Sequence, residues 1–599
     1  MYNQQLTKQR RIMLTNKNKL KGTDLLPDLA CFAAIFNQPY PPLSAPLAML
    51  QARLMDGLMQ FCNSSRSPSR FMLLTAQENN DYFQLIAETV KQILDASSQN
   101  VSSRHLVADI GVSTQPATNM DRASCVWQSL VEYEQLFGAL RFYRDVLYLQ
   151  PGLVHRANGG ILIVGVRALV RQPVLWLRLK HMILQQRFDW LPENTSRPLP
   201  VAVPSIPLNL RLIVVGNRAG LADLNAIEPE LTSFAMYGEF ESELCIIGPD
   251  KMAKWCSWVN TLAQQHGLPL LSADAWPVLV RQAIRYSGDH YQLPLCPHWL
   301  SRRLKEAAMY YGSKHEQLTA TAFTDSEQKR SWRESYLSER MQYEIVASQI
   351  MLENEGHVVG QVNALSLLDF PGHPLPFCEP SRISCVVHVG DGEINDVEHK
   401  AELGGNLHTK GMLIIQAFLM SALKLDQQLP FSASLVFEQS YGEVDGDSAS
   451  LAEGVALISA LADKPINQQI AVTGSVDQFG HVQPIGGVNE KIEGFFAFCQ
   501  ARALTGAQGV ILPTANVRHL CLHDDVIEAV SEGQFSLWAV DTIDDTLEIL
   551  TAMSFDNDHL PNLLAAIRAR ISNFYLREQK LLPWCFRWLN WFNQRARND

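Results

Sequence analysis

The 599-residue sequence predicts a multidomain α/β chain, on three observations. Short apolar strands at Phe71–Leu74, Ile161–Val164 and Leu210–Val215 alternate with segments of helical spacing in the first half. The stretch from 246 to 355 is helical, charged toward its end and poor in breakers. Beyond it, brief strands and helices are separated by Gly- and Pro-containing turns. A chain this long exceeds a single core, so three or four domains are expected.

In chain order, residues 1–60 form an N-terminal segment whose first part, Met1–Lys21, is polar and basic and lacks the apolar centre of a signal peptide. Residues 61–245 read as an α/β core, with a helical insertion near 101–149 that contains an aromatic helix, Tyr133–Leu147. Within 246–355, Ala273–Tyr286 and Pro297–Tyr311 place apolar residues at helical spacing, and Asp325–Glu355 reads as a charged linker helix. Residues 356–553 form the next domain, and 554–599 close the chain with an amphipathic helix, Leu560–Phe574. The segment 581–592 interleaves Trp584, Phe586, Trp588, Trp591 and Phe592 with Arg587, a composition suited to a partner, to a membrane surface, or to packing on the rest of the chain.

A net charge of -11 and a pI near 5.8 argue against a nucleic-acid footprint. Eleven cysteines are scattered without a C-x-x-C pair, so neither a metal site nor a disulfide framework is expected, and they read as buried thiols of a reducing cytoplasm. No run of about eighteen apolar residues occurs, so no transmembrane span is expected.

Chemistry concentrates in Glu443–Ser450 and Pro484–Lys491. Asp445-Gly446-Asp447 reads as a turn, and Ser450-Leu451-Ala452-Glu453 has the form of a capping box opening a helix to about Leu461. Ser448 then stands at a helix mouth, where outward N–H groups suit an oxyanion; the same placement suits a mere cap. Asp477–Gly480 reads as a hairpin turn, His481–Gln483 as a strand, and Asn489 as the cap of a helix carrying Lys491 in its first turn. A cation there opposes the helix dipole, and desolvation by Ile485, Ile492 and Phe495 would lower its pKa toward that of a base. The competing reading is a solvated lysine beside Glu490 and Glu493. Lys410 and His481 are the other candidate bases; Lys410 reads as ending a turn before the apolar run 411–423.

The blocks Phe437–Ser450, Ala471–Val476 and Gly480–Lys491, with Val359–Leu365 and His408–Gly411 upstream, resemble the Lon peptidases, most closely their B-type branch. The resemblance spans roughly 356–550. It implies a degenerate AAA+ α/β module with a helical lid, followed by an α+β Lon-type proteolytic domain. It also implies that Ser448 is a nucleophile, Lys491 its base and Thr473 a supporting residue that orients the lysine. Asp447 and Ser450 stand where the familiar bacterial loop has Pro and Gly, a mark of the B-type branch. Archaeal B-type enzymes are membrane-anchored, which this chain does not resemble.

An AAA+ ATPase would carry Gly-Lys-Ser/Thr after its first strand. The sequence there runs Thr75-Ala76-Gln77-Glu78-Asn79-Asn80-Asp81, with no glycine between Gly57 and Gly111. Gly165 and Val166 occupy the places of the magnesium-binding Asp-Glu pair, and no arginine finger is evident in 228–234. Asn217 is the remnant of the phosphate sensor. No cofactor is therefore expected, with ATP and magnesium as the alternative. The expected activity is hydrolysis of unfolded or delivered protein and peptide substrates by a cytoplasmic homo-hexameric ring. The alternatives are a ring-forming scaffold with vestigial proteolysis and an ATP-dependent protease with a divergent loop.

Overall fold

The computed structural model describes residues 18–63, 67–97, 124–143, 146–192, 203–311, 317–390, 392–424, 431–440, 446–556 and 561–581. The chain separates into two compact units: one comprises residues 32–276 and 292–323, the other residues 1–31, 277–291 and 324–599. The N-terminal segment and the helical stretch expected over 246–355 are therefore each divided between the units.

The first unit is built on a parallel sheet of five strands: β1 (Phe71–Thr75), β2 (Cys125–Gln128), β3 (Ile161–Gly165), β4 (Arg211–Gly216) and β5 (Met236–Glu239). They lie in the order β2-β3-β4-β1-β5. The runs Phe-Met-Leu-Leu, Ile-Leu-Ile-Val and Leu-Ile-Val-Val are buried from end to end, as helices on both faces of a parallel sheet require. The insertion expected near 101–149 is corrected. Its described part contributes β2 to the core sheet, a short helix at Tyr133–Phe137 and a hairpin, Ala139–Tyr143 with Val146–Gln150. Gly138 at φ 77° ends the helix. Its own Cβ would lie 2.4 Å from the Gln150 carbonyl oxygen, so only glycine admits the hairpin there. The residues 98–123 of that segment lie outside the described ones.

The second unit holds a mixed seven-stranded sheet. Its strands are β6 (Gln361–Leu368), β7 (Phe377–Val389), β8 (Ile394–Asp396), β9 (Phe431–Glu438), β10 (Ile470–Val472), β11 (Gly509–Pro513) and β12 (Ser536–Val540), in the order β8-β9-β7-β6-β10-β11-β12. The pairs β6–β7 and β7–β9 are antiparallel, and the rest of the ladder is parallel. The helix α1 (Ala275–Ser287) brings residues from 277 onward into this unit. The helices α2 (Asn406–Leu423), α3 (Ser450–Ala462), α4 (Val488–Ala501) and α5 (Leu563–Leu581) complete the elements that bear on the site. Helix α3 is buried along its whole length, with Leu451, Val455, Ile458 and Leu461 in a core shared with Ile415 and Leu419 of α2 and Leu564 and Ile567 of α5. The C-terminal helix thus belongs to this core; the aromatic residues 584–592 lie outside the described ones.

Two helix readings need correction. The charged linker is two helices, Ala320–Glu334 and Tyr336–Val346, broken at Ser335, and the chain beyond runs through turns and irregular backbone with Leu352 and Asn354 buried. Lys410 lies within α2, which begins four residues earlier, and its side chain is exposed.

Candidate active site

A short hydrogen-bonded zipper holds Ser448. The Ser448 carbonyl accepts from the Gly474 N–H at 2.9 Å, and the Leu451 N–H donates to the Gly474 carbonyl at 3.1 Å. Ser475 Oγ donates to Asp447 Oδ2 at 3.0 Å, and the Val476 N–H donates to Ser450 Oγ at 3.1 Å. Gly474 has no room for a side chain, since a Cβ would stand 2.9 Å from Leu451 Cδ2. The Thr-Gly-Ser sequence after β10 is therefore the template against which the serine turn is laid. The residues 441–445 of the serine block lie outside the described ones.

The expected capping box does not form. Ala449 occupies the cap position of α3, Ser450 spends its hydroxyl on Val476, and Glu453 is buried beside His408 instead of reaching back to the helix start. Tertiary packing takes both side chains that local capping would have used.

The lysine arrives on α4. Gly487, not Asn489, caps this helix, at φ 62°. A Cβ on Gly487 would lie 2.1 Å from Leu367 Cδ1, so the helix can start against β6 only with glycine. Asn489 instead donates to the His519 carbonyl at 2.9 Å and accepts from the Cys521 N–H at 2.8 Å. Lys491 is 1% exposed. Its Nζ lies 2.8 Å from Ser448 Oγ and 3.2 Å from Thr473 Oγ1, so all three expected residues meet. Burial lowers its pKa from 10.5 to about 8, opposed by the charge of Asp447.

Glu490 and Glu493, the acidic neighbours of Lys491 in sequence, face a different partner. Arg285 of α1 grips Glu493 with two bonds, at 2.6 and 2.7 Å, and reaches Glu490 at 3.5 Å and the Cys521 carbonyl at 3.1 Å. These acids are drawn off the lysine and fix the helix that carries it. No sequence signal pairs Arg285 with residues some two hundred positions away. His481 is exposed, its Nδ1 3.1 Å from Asp477 Oδ2.

In the first unit, Glu78 fills the position at the carboxyl ends of β3 and β4 where an open α/β sheet receives phosphates. Its side chain is 4% exposed, and Arg167 covers it, donating its backbone N–H to Oε2 at 3.2 Å with its guanidinium 3.4 Å from Oε1. A Cβ on Gly165 would lie 2.5 Å from Glu78 Oε2. Burial pushes this carboxyl upward, against the amide and charge of Arg167. Asn217 caps the following helix, accepting from the Gly220 N–H at 2.8 Å.

Comparison with known proteins matches two domains. The family model described as the LonB-like AAA domain matches residues 122–241, and that of the Lon protease (S16) C-terminal proteolytic domain matches residues 442–553. The “Putative Lon protease homolog” of Escherichia coli (strain K12) is 51% identical over 588 residues, covering 96% of this chain and 99% of that protein. The chain belongs to the Lon protease family. A homolog of the same description from Haemophilus influenzae is 44% identical over 73% of this chain and 74% of its own length. The archaeal Lon protease of Thermococcus kodakarensis is 25% identical over 69% and 62%. The Lon proteolytic match covers both Ser448 and Lys491, and the AAA match covers Gly165, Arg167 and Asn217. Among the described residues no helix is long and apolar enough to cross a membrane.

Proposed function

We propose that this Lon family member is a serine endopeptidase in which Ser448 and Lys491 form the catalytic dyad and which needs no nucleotide. The observation that carries the reading is a lysine ammonium nitrogen, excluded from water, 2.8 Å from a serine hydroxyl at a helix mouth. In the neutral amine form, Nζ accepts the Ser448 proton as Oγ attacks the scissile carbonyl carbon. Backbone N–H groups of the turn around Ser448 receive the oxyanion. Lys491 then returns the proton to the leaving amine as the C–N bond breaks, and takes one from the water that hydrolyses the ester. Thr473 holds Nζ in line.

Independence from ATP rests on the missing Gly-Lys-Ser/Thr loop and on Glu78, whose carboxylate at the strand ends would repel a triphosphate. Substrates are accordingly unfolded, short or delivered protein chains, and the working form is a homo-hexameric ring as in the family at large. The described cysteines are all free thiols, which suits a reducing cytoplasm. The test is digestion of a casein-like unfolded protein by the full chain, with and without ATP and magnesium. Cleavage by wild type in both conditions, and by neither Ser448→Ala nor Lys491→Ala, is expected. Cleavage that requires ATP would refute the nucleotide-free reading, and cleavage by Ser448→Ala would refute the dyad.

A further inference from the structure

Behind the serine turn lies a second cluster of ionisable side chains that this peptide chemistry does not use. Asp396 closes β8, Glu398 follows in the short helix Val397–Lys400, and His408 lies in the first turns of α2. All three are less than a tenth exposed, and one donor atom from each falls within 4.8 Å of the others. Glu398 Oε1 accepts from the Phe437 N–H at 2.8 Å, and Asp396 Oδ1 from the Glu398 N–H at 3.1 Å, so both carboxylates are fixed through one oxygen. The other oxygens, Asp396 Oδ2 and Glu398 Oε2, and His408 Nε2 have no hydrogen-bond partner. Nε2 and Oδ2 stand 3.0 Å apart, at ion-pair distance but without hydrogen-bond direction. Buried polar atoms are ordinarily paired, and three orphans converging at one place call for a ligand.

We propose that Asp396, Glu398 and His408 bind a divalent transition-metal ion of the zinc class inside the proteolytic domain, with Glu453 as the outer carboxylate. Two carboxylate oxygens and an imidazole nitrogen form a mixed O/N donor set, which imidazole turns away from magnesium and calcium toward zinc-like ions. The other ring nitrogen supplies the independent support. Glu453, 1% exposed, places Oε1 3.3 Å from His408 Nδ1, at ion-pair distance and without a hydrogen bond of its own. Metal-bound histidines commonly have a carboxylate on their second nitrogen, which sets the tautomer. Without a cation, three carboxylates are buried against a single imidazole. The ion would join β8, α2 and α3 beneath the nucleophile: Glu453 and the serine turn share α3, and on α2 Gly411 leaves only 3.3 Å between a Cβ there and Ser450 Cβ. A search for cysteine or histidine pairs misses this set, because carboxylates at 396 and 398 and a lone histidine have no signature spacing.

The full chain, stripped with a chelator and dialysed, is titrated with Zn2+ by calorimetry and with Co2+ by visible absorption. One equivalent per chain is expected, with Co2+ bands displaced by Zn2+. Asp396→Asn and His408→Gln should each weaken binding at least about 100-fold, and Glu453→Gln about 10- to 100-fold at unchanged stoichiometry. X-ray absorption of the zinc-loaded wild type needs no variant, and should show nitrogen and oxygen ligands near ~2.0–2.2 Å. No uptake by wild type, which leaves a cluster compensated by protons only, would overturn the proposal. So would sulfur ligation, or undiminished binding by folded Asp396→Asn and His408→Gln.

Discussion

Replacing Lys491 by methionine should kill the enzyme and stabilise the protein at neutral pH. Lowering this ammonium from 10.5 to about 8 costs about 3 kcal/mol of folding free energy at pH 7, at about 1.4 kcal/mol per tenfold in acidity. Methionine fills a similar volume without charge, and it forfeits the contacts to Ser448 and Thr473, worth about 1 kcal/mol each. The balance favours Lys491→Met by about 1 kcal/mol, or roughly 2 °C in a unit of this size. The pH dependence sharpens the test. Below pH 8 both folded and unfolded states hold the proton, and the penalty is constant. Between 8 and 10.5 only the unfolded state holds it, so wild type gains stability as pH rises through that window. The two thermal-unfolding curves should therefore cross near pH ~9, with wild type the more stable at pH ~10.5. Tryptophan fluorescence of the full-length proteins follows the transition. A variant that is less stable at pH 7 by an amount independent of pH would refute a desolvated lysine.

Ser448→Ala should abolish peptide hydrolysis and cost about 1 kcal/mol of stability, because it removes the hydroxyl 2.8 Å from Lys491 Nζ, while the zipper that holds the turn uses the Ser448 carbonyl and stays intact. Thr473→Val should lower kcat with little change in KM, since it removes one of two contacts to Nζ and leaves substrate binding alone. Arg285→Met should destabilise the proteolytic unit by about 3 kcal/mol by taking the guanidinium from Glu493 and Glu490 and leaving Glu493 to His523, and Arg285→Lys should rescue it only in part, because an ammonium cannot reproduce the two-pronged grip; chemical denaturation reads both. Glu78→Gln should raise stability at neutral pH, because a carboxyl whose folded pKa is raised loses stability as pH climbs through that window, and ATP with magnesium should shift the melting temperature of neither protein.

The dyad was legible because the sequence places its parts in compact local blocks: a turn before a helix, a Thr-Gly-Ser strand end, and a Gly-Gly turn before a second helix. The caps within those blocks differ from the expected ones for a common reason. Ser450 and Asn489 have the chemistry of caps, but the strand end at Val476 and the loop at 519–521 claim their side chains, while Gly487 caps by backbone conformation alone. Aromatic content predicts a helix over Tyr133–Leu147, yet Gly138 stops it after Phe137 and Leu140 and Leu149 pair across a hairpin. The absent phosphate loop could be read directly. That Glu78 would turn inward and close the crevice could not, because that depends on the glycines at the ends of β3 and β4 lying beside it. Arg285 and the Asp396–Glu398–His408 cluster are long-range assemblies with no local pattern.

The pH profile of kcat/KM for a short peptide substrate, measured without nucleotide, tests the central claim most directly. A rise of tenfold per pH unit to an inflection near 8 and a plateau above it are expected, as neutral Lys491 becomes the prevailing form of the free enzyme. An inflection near ~6.5, the range of a histidine base, or a profile unchanged in Lys491→Met, would contradict it.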